Sequence, residues 1–287
     1  MKPSNLKTQI FLDSGDPGET KIALELLGFL DGQTTNPSYY AKSPKVQEYL
    51  KTIGKFSKQE LLLSYRRTIE AVAALIPKGS VSIEVYADKN IKAEEMLAQA
   101  KEMFKWTPNA YIKFPIIPEG MKAAQKALEE GMRVNMTLCF NQQQAAAVYA
   151  MSKGAKRGQI YISPFIGRHT DAGTQGLDLV RNIIRMYKAG DRHILVLAAS
   201  LRAIEQFYAV IFEGADIITA GFKYLKQWSE EGLKLPGGNF VYNPEGFKPI
   251  VYEEYDLDKN WTSFNISDKL TSKGLDQFSQ DWNNLIA

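Results

Sequence analysis

Eight short apolar runs alternate with longer segments of helical period, and no other feature of this 287-residue chain limits its fold so tightly. The runs are 9–13, 32–35, 81–86, 110–114, 134–138, 159–163, 193–198 and 217–219. Between them, 91–104 sets Met96, Ala100 and Phe104 four residues apart. Segment 119–130 does the same with Ala124 and Leu128 and stops at Gly131, a natural left-handed cap. Further helical stripes fall at 58–75, 177–188 and 202–212. Several runs are apolar without a break, HILVLAA from His193 most clearly, as parallel strands covered on their outer face require. Eight such units predict an α/β chain closed into a (β/α)₈ TIM barrel rather than an open doubly wound sheet. No Gly-x-Gly-x-x-Gly follows the first run to favour the open form. Barrels of this kind need roughly 250 residues, so residues 1–287 read as one domain.

After Ala220 the pattern changes, and 221–287 reads as a C-terminal extension. PGGN, NPEG and VYEEYDLDKNW, all within 221–265, predict loops over one end of the barrel. A final helix at 274–286 carries Phe278, Trp282 and Leu285 on one face. That stripe docks either on its own core or on a neighbouring subunit, and the pattern serves both.

Charge and cysteine usage narrow the setting. Thirty-five Lys and Arg against 32 Asp and Glu leave a net charge of +3, spread along the chain, which points to neither a nucleic acid nor a membrane surface. The single cysteine, Cys139, cannot form an intramolecular disulfide and reads as a buried thiol in a cytoplasmic protein. The first residues lack the apolar core of a signal peptide, and no apolar run is long enough to cross a bilayer. His169 and His193 have no partners at ligand spacing, so both read as structural and no metal site is expected.

Polar residues recur at the C-terminal ends of successive strands: Asp13, then Thr35 and Asn36, Glu84, Lys113, Asn135 and Thr137, Ser163, and Ser200. In a parallel barrel these ends converge on the face where active sites lie. Lys113 sits in AYIKFP, sharing a strand face with Tyr111. Burial disfavours an ammonium, and the neutral amine is the form that attacks a ketone. A strand-end lysine reaching out to solvent fits the same pattern, so Lys113 alone decides nothing. Asp13 reads equally as a turn residue opening SGDPGE. Glu84, inside an apolar strand, needs a partner or a proton. Together the three supply two acid/base groups and one amine nucleophile, the set that Schiff-base aldol chemistry uses. Arg168 and Arg202, on adjacent loops beside Ser163 and Ser200, suit a planar phosphate clamp.

The segments FLDSGD (11–16), DGQTTNPS (31–38), SIEV (82–85), IKFP (112–115), GMRVNMTL (131–138), ISPFIGR (162–168) and LAASLR (197–202) resemble the transaldolase family, including the smaller fructose-6-phosphate aldolases. They follow the family's order across roughly the first 220 residues. The resemblance implies Lys113 as the Schiff-base lysine and Asp13 as the acid/base at the cleaved bond. It implies Glu84 and Thr137 as the pair holding a catalytic water. It places Thr35, Asn36, Asn135 and Ser200 around the dihydroxyacetone unit, and Ser163, Arg168 and Arg202 at the phosphate. The implied reaction moves dihydroxyacetone from a ketose phosphate (sedoheptulose 7-phosphate or fructose 6-phosphate) to an aldose phosphate, with sugar phosphates as substrates and no cofactor or metal.

Two positions bear on the branch. The aldolase relatives typically carry glutamine where this chain has Glu84 and tyrosine where it has Phe165. A phenyl ring cannot help water protonate the enamine, so the resemblance implies a transferase. An aldolase releasing free dihydroxyacetone, or a silent sugar-phosphate-binding homologue, are the alternatives. IKFPIIPEG departs from the larger transaldolases, and DQFSQDW is similar to the ending of the small aldolases, whose terminal helix packs across a subunit boundary. A homo-oligomer is expected on that ground. Residues between Thr219 and Asp268 have no counterpart that can be placed.

Overall fold

The computed structural model describes residues 2–242 and 244–287. Its eight parallel strands pair in chain order and close, with β8 returning to β1, so the expected (β/α)₈ barrel is the fold found. The first half runs β1 (Gln9–Asp13), α1 (Pro17–Leu27), β2 (Gly32–Thr34), α2 (Pro37–Lys42), α3 (Pro44–Thr52), α4 (Lys58–Leu75), β3 (Ser80–Glu84), α5 (Ala93–Phe104), β4 (Ala110–Pro115) and α6 (Pro118–Glu129). The second runs β5 (Val134–Cys139), α7 (Gln142–Met151), β6 (Ile160–Pro164), α8 (Ile166–Asp171), α9 (Gly176–Lys188), β7 (Ile194–Ala198), α10 (Ile204–Glu213), β8 (Ile217–Ala220), α11 (Phe222–Glu230) and α12 (Lys269–Asn283). None of the described helices is long and apolar enough to cross a membrane.

Strand alternation splits the side chains into two cores. Outward residues such as Ile10, Leu12, Ile112 and Val134 pack beneath the helices. Inward, Phe11, Tyr161, Leu195, Leu197 and Ile217 form a separate plug. Tyr111 stacks on Tyr161 with ring centres 4.1 Å apart, and the Tyr161 hydroxyl meets Ser80 Oγ at 3.0 Å. A Cβ on Gly32 would stand 2.6 Å from the Phe11 ring, so the plug admits only glycine there. Side chains above this plug can therefore be polar without opening a pore.

The C-terminal third departs from expectation. Residues 221–265 were expected as loops, yet α11 occupies Phe222–Glu230 and completes the eighth unit. Its buried stripe, Tyr224, Leu225 and Trp228, is short and interleaved with lysines and glutamine, so the surrounding turn signals mask it. The stretch that follows does not cap the barrel. It runs as a strap over α9, α7 and α6, held by Asn182 Nδ2 to the Ile250 carbonyl (2.9 Å), Gln142 Nε2 to the Val251 carbonyl (2.8 Å) and Trp261 Nε1 to Gln125 Oε1 (3.1 Å). The barrel mouth is covered instead by α12, which starts five residues earlier than the apolar stripe suggests because Asp268 caps it. In this chain α12 packs on its own core: Thr271 Oγ1 donates to the Leu138 carbonyl at 3.0 Å, and Trp282 packs on Tyr40 and Tyr65. A Cβ on Gly274 would stand 2.7 Å from Leu138, which measures how close that approach is.

Candidate active site

Register brings the charged groups together. Glu84 on β3 lies beside Lys113 on β4, and Lys113 lies beside Asn135 on β5. All three side chains point into the barrel above the aromatic plug. Lys113 Nζ stands 2.7 Å from Glu84 Oε2, with both side chains almost fully buried. The same nitrogen donates to the Thr35 carbonyl at 2.9 Å. Across the barrel, Thr34 Oγ1 donates to Asp13 Oδ1 at 2.8 Å and meets Thr219 Oγ1 at 2.6 Å.

Burial sets the protonation chemistry. Desolvation raises the Asp13 carboxyl from 3.8 to about 6, against the opposing pull of Lys113 and the Thr34 hydrogen bond. Burial also raises Glu84; Lys113 counteracts this, and the Asp13 charge adds to it. Two carboxylates share one lysine, and their protonation states are coupled through it. Asp13 is thereby poised to exchange a proton near neutral pH.

A neutral network lies among the same strands. Ser163 Oγ donates to Asn135 Oδ1 at 2.7 Å, and Asn135 Nδ2 donates to Ser82 Oγ at 3.1 Å. That chain fixes the Asn135 amide beside Lys113. The buried Thr137 hydroxyl has no hydrogen-bond partner among the described residues.

Above these groups opens a cavity of about 660 Å³, lined by Asp13, Asn36, Phe165, Arg168, Ser200 and Arg202 among others. Lys113, Glu84, Asn135, Thr137 and Ser163 do not line it and lie buried deeper in the barrel. Asn36 caps α2, its Oδ1 accepting from the Tyr39 N–H at 2.9 Å, which leaves its amide NH₂ for a ligand. Ser200 takes a left-handed backbone (φ 63°). Arg202 Nη1 donates to Ser200 Oγ at 3.3 Å, while Nε and Nη2 bind Asp171 at 2.9 and 2.8 Å. A Cβ on Gly167 would meet that guanidinium at 2.5 Å, so it packs where only a bare backbone leaves room. Arg168 donates to the Leu270 carbonyl on α12 at 3.3 Å, and no carboxylate pairs with it among the described residues. Burial, and then Arg202, lower its affinity for a proton, so an anion between the two arginines relieves a real repulsion.

Thr35 stands apart from the other site residues. Strand alternation turns its side chain outward, toward the Tyr65 phenol on α4, and it contributes to the cluster through its carbonyl. Thr34, which holds Asp13, Thr219, which meets the Thr34 hydroxyl, and Asp171, which holds Arg202, were absent from the sequence reading. The two-residue period of GQTT would have found Thr34, since it places Gly32 and Thr34 inward. Asp171 gives no such signal, being 31 residues from its partner. Phe165 lines the cavity and packs edge-on against Phe140 at 5.5 Å. His169 contacts the Phe140 carbonyl at 2.8 Å and His193 contacts Ser152 Oγ at 2.8 Å.

The sequence profile described as Transaldolase/Fructose-6-phosphate aldolase matches residues 10–287. The chain belongs to that family. Probable transaldolases of Dehalococcoides mccartyi and of Roseiflexus sp. strain RS-1 are each 36% identical to it. The first match covers 80% of this chain and 94% of the relative, and the second 76% and 88%. A probable transaldolase of Halalkalibacterium halodurans is 30% identical over 96% of this chain and 99% of its own. Membership of a transaldolase/aldolase family makes the protein an enzyme and gives the Lys113 cluster its chemical context.

Proposed function

We propose that the protein is a transaldolase that carries a dihydroxyacetone unit on Lys113 between a ketose phosphate and an aldose phosphate. The observation that carries this reading is the buried Lys113–Glu84 pair at 2.7 Å facing an Asp13 whose carboxyl is raised to about 6. Nζ gives a proton to Glu84 and attacks the ketone carbon, forming a carbinolamine. Water leaves with that proton, and an iminium remains. A water bridging Glu84 and the unpaired Thr137 hydroxyl suits this transfer, because a buried hydroxyl needs a partner. Asp13 then takes the proton of the C4 hydroxyl. The C3–C4 electron pair moves toward the iminium nitrogen, and an aldehyde phosphate departs. The enamine on Lys113 next attacks the carbonyl carbon of an acceptor, Asp13 returns the proton, and hydrolysis frees the new ketose.

Phosphate enters between Arg168 and Arg202, with Ser200 beside them. Asn36 lines the cavity beside the hydroxyls of the three-carbon unit, and Asn135, deeper beside Lys113, has one amide N–H left for them. Phe165 favours transfer over release, because its ring has no proton to help water quench the enamine. The buried thiol of Cys139 accords with a cytoplasmic setting.

Borohydride reduction in the presence of fructose 6-phosphate tests the reading. A covalent adduct on Lys113, absent from Lys113→Ala, is expected. Failure to trap one with any ketose phosphate would falsify it.

A further inference from the structure

One phenol in the cavity wall has no part in the chemistry just described. Tyr39 lies on α2, and its ring lines the cavity together with Asp13 and Arg202. The backbone fixes where that ring starts. Its N–H is held by Asn36 Oδ1 at 2.9 Å, and the SGDPGE loop presses on the same turn: a Cβ on Gly15 would stand 2.6 Å from the Tyr40 backbone and 2.8 Å from the Tyr39 carbonyl carbon. The ring's far end is located too. A Cβ on Gly221 would stand 3.5 Å from the Tyr39 hydroxyl, which therefore reaches across to the start of α11. That hydroxyl makes no hydrogen bond to any described residue, and the side chain is 39% exposed.

The cavity lining sets Tyr39 among charged neighbours. Asp13 first, then burial and Glu19, push the phenol above its ordinary value, and Arg202 opposes them. Tyr39 is thus a neutral hydroxyl, able to donate and to accept, within the fields of both Asp13 and Arg202. Asp13 serves the hydroxyl at the cleaved bond and Arg202 serves the phosphate. A sugar phosphate spanning Asp13 and Arg202 would run along the cavity wall that Tyr39 lines with them.

We propose that Tyr39 is a specificity-determining residue that hydrogen-bonds the hydroxyl carried by the aldehyde phosphate between its carbonyl carbon and its phosphate. In fructose 6-phosphate this is the hydroxyl on C5. The inference rests on the Lys113–Asp13 reading of the site and adds a choice among acceptors to it. Aldehyde phosphates bearing that hydroxyl are preferred over deoxy analogues of the same length. One neutral hydrogen bond is worth about five- to tenfold in such a comparison.

The experiment uses sedoheptulose 7-phosphate as donor and compares two acceptors, glyceraldehyde 3-phosphate and its 2-deoxy analogue, 3-phosphooxypropanal. Both meet the same Lys113 adduct, so the donor half-reaction cancels in the ratio of their kcat/KM values. Wild type is expected to favour glyceraldehyde 3-phosphate about five- to tenfold, and Tyr39→Phe to bring the ratio near one. An equal preference in both proteins overturns the proposal. So does an equal loss on both acceptors, which would assign the hydroxyl to Asp13 rather than to the substrate. Borohydride trapping of wild type with the same donor separates the two levels. With a Lys113 adduct in hand, an unchanged ratio sinks only the role of Tyr39; with no adduct, both readings fall.

Discussion

Replacing Asp13 by asparagine will remove catalysis and make the protein more stable at pH 8 than at pH 5, relative to wild type. Its carboxyl is raised from 3.8 to about 6 in the folded protein, so the fold holds this group's proton more tightly than the unfolded chain does. Between those two values the native state binds more protons, and stability falls as pH rises. The favourable contribution is complete below 3.8, partly present at pH 5 and gone by pH 8. With those two values it shrinks by about 1.4 kcal/mol from pH 5 to pH 8. Asp13 also keeps an edge on the cavity, where water softens the penalty, so about 1 kcal/mol is the working figure. Asparagine has no charge to bury at any pH, and its gain over wild type must grow across the interval by that amount. For a chain of this length that is about 2 °C in Tm. Thermal unfolding of both proteins at half-unit steps between pH 5 and 8 measures it. Parallel curves, or a gain for Asp13→Asn that shrinks with rising pH, would refute the reasoning.

Three further outcomes follow from the same geometry. Thr34→Val deletes the donor that holds down the Asp13 pKa, so the acidic limb of the kcat–pH profile, expected near 6, should move upward; an unmoved limb removes Thr34 from the proton-transfer site. Asp171→Asn loosens the guanidinium of Arg202 and should raise KM for fructose 6-phosphate about two- to fivefold, the range for an exposed charged pair, with a smaller effect on kcat. A fall in KM would mean that Asp171 competes with the phosphate instead of aiming its partner. Phe165→Tyr places a hydroxyl in the cavity wall and should increase the share of free dihydroxyacetone in the products, measured with and without an acceptor; a constant share would break the link between this ring and the fate of the enamine.

Barrel topology was readable because parallel strands buried on both faces have to be apolar throughout. His193–Ala198 shows the limit of that signal. The run is continuous in sequence, but β7 starts at Ile194, and His193 lies just before it with its ring bonded to Asp191 and Ser152. Helix α7 gave no stripe for the opposite reason. The strap covers its outer side, leaving Ala145, Ala146, Ala147 and Val148 all buried, and a helix apolar all round has no period to detect. The two ends of the site differed in the same way. Lys113 and Glu84 stood out because charges are rare inside strands. Arg168 and Arg202 could be paired only by assuming neighbouring loops, and their unlike surroundings, one open and one tied to Asp171, depend on contacts made after folding. Tyr39 reads in sequence as an ordinary helix aromatic beside Tyr40. Only the folded chain shows that Tyr40 goes to the core and Tyr39 to the cavity.

The Lys113–Glu84 pair is a poor way to stabilise a barrel. Buried ion pairs of this kind recover their desolvation cost only partly, and an apolar pair of similar volume is commonly as stable or more so. Nearby Asp13 adds a second carboxyl whose burial is itself unfavourable. Such a cluster persists where its surroundings cannot relax around it, and this barrel supplies them on both sides. Below, the Phe11, Tyr111 and Tyr161 plug keeps the strands from closing on the polar layer. At the sides, Ser82, Asn135 and Ser163 hold one another by hydrogen bonds. Across the mouth, α12 ties β5 to α2 through Thr271 and Trp282. Register does the rest. A slip of one residue between β3 and β4 would turn Glu84 or Lys113 out under a helix. The same rigidity that makes the charges tolerable keeps an amine, two carboxyls and two arginines in fixed relation, as the proposed transfer of a three-carbon fragment on Lys113 requires.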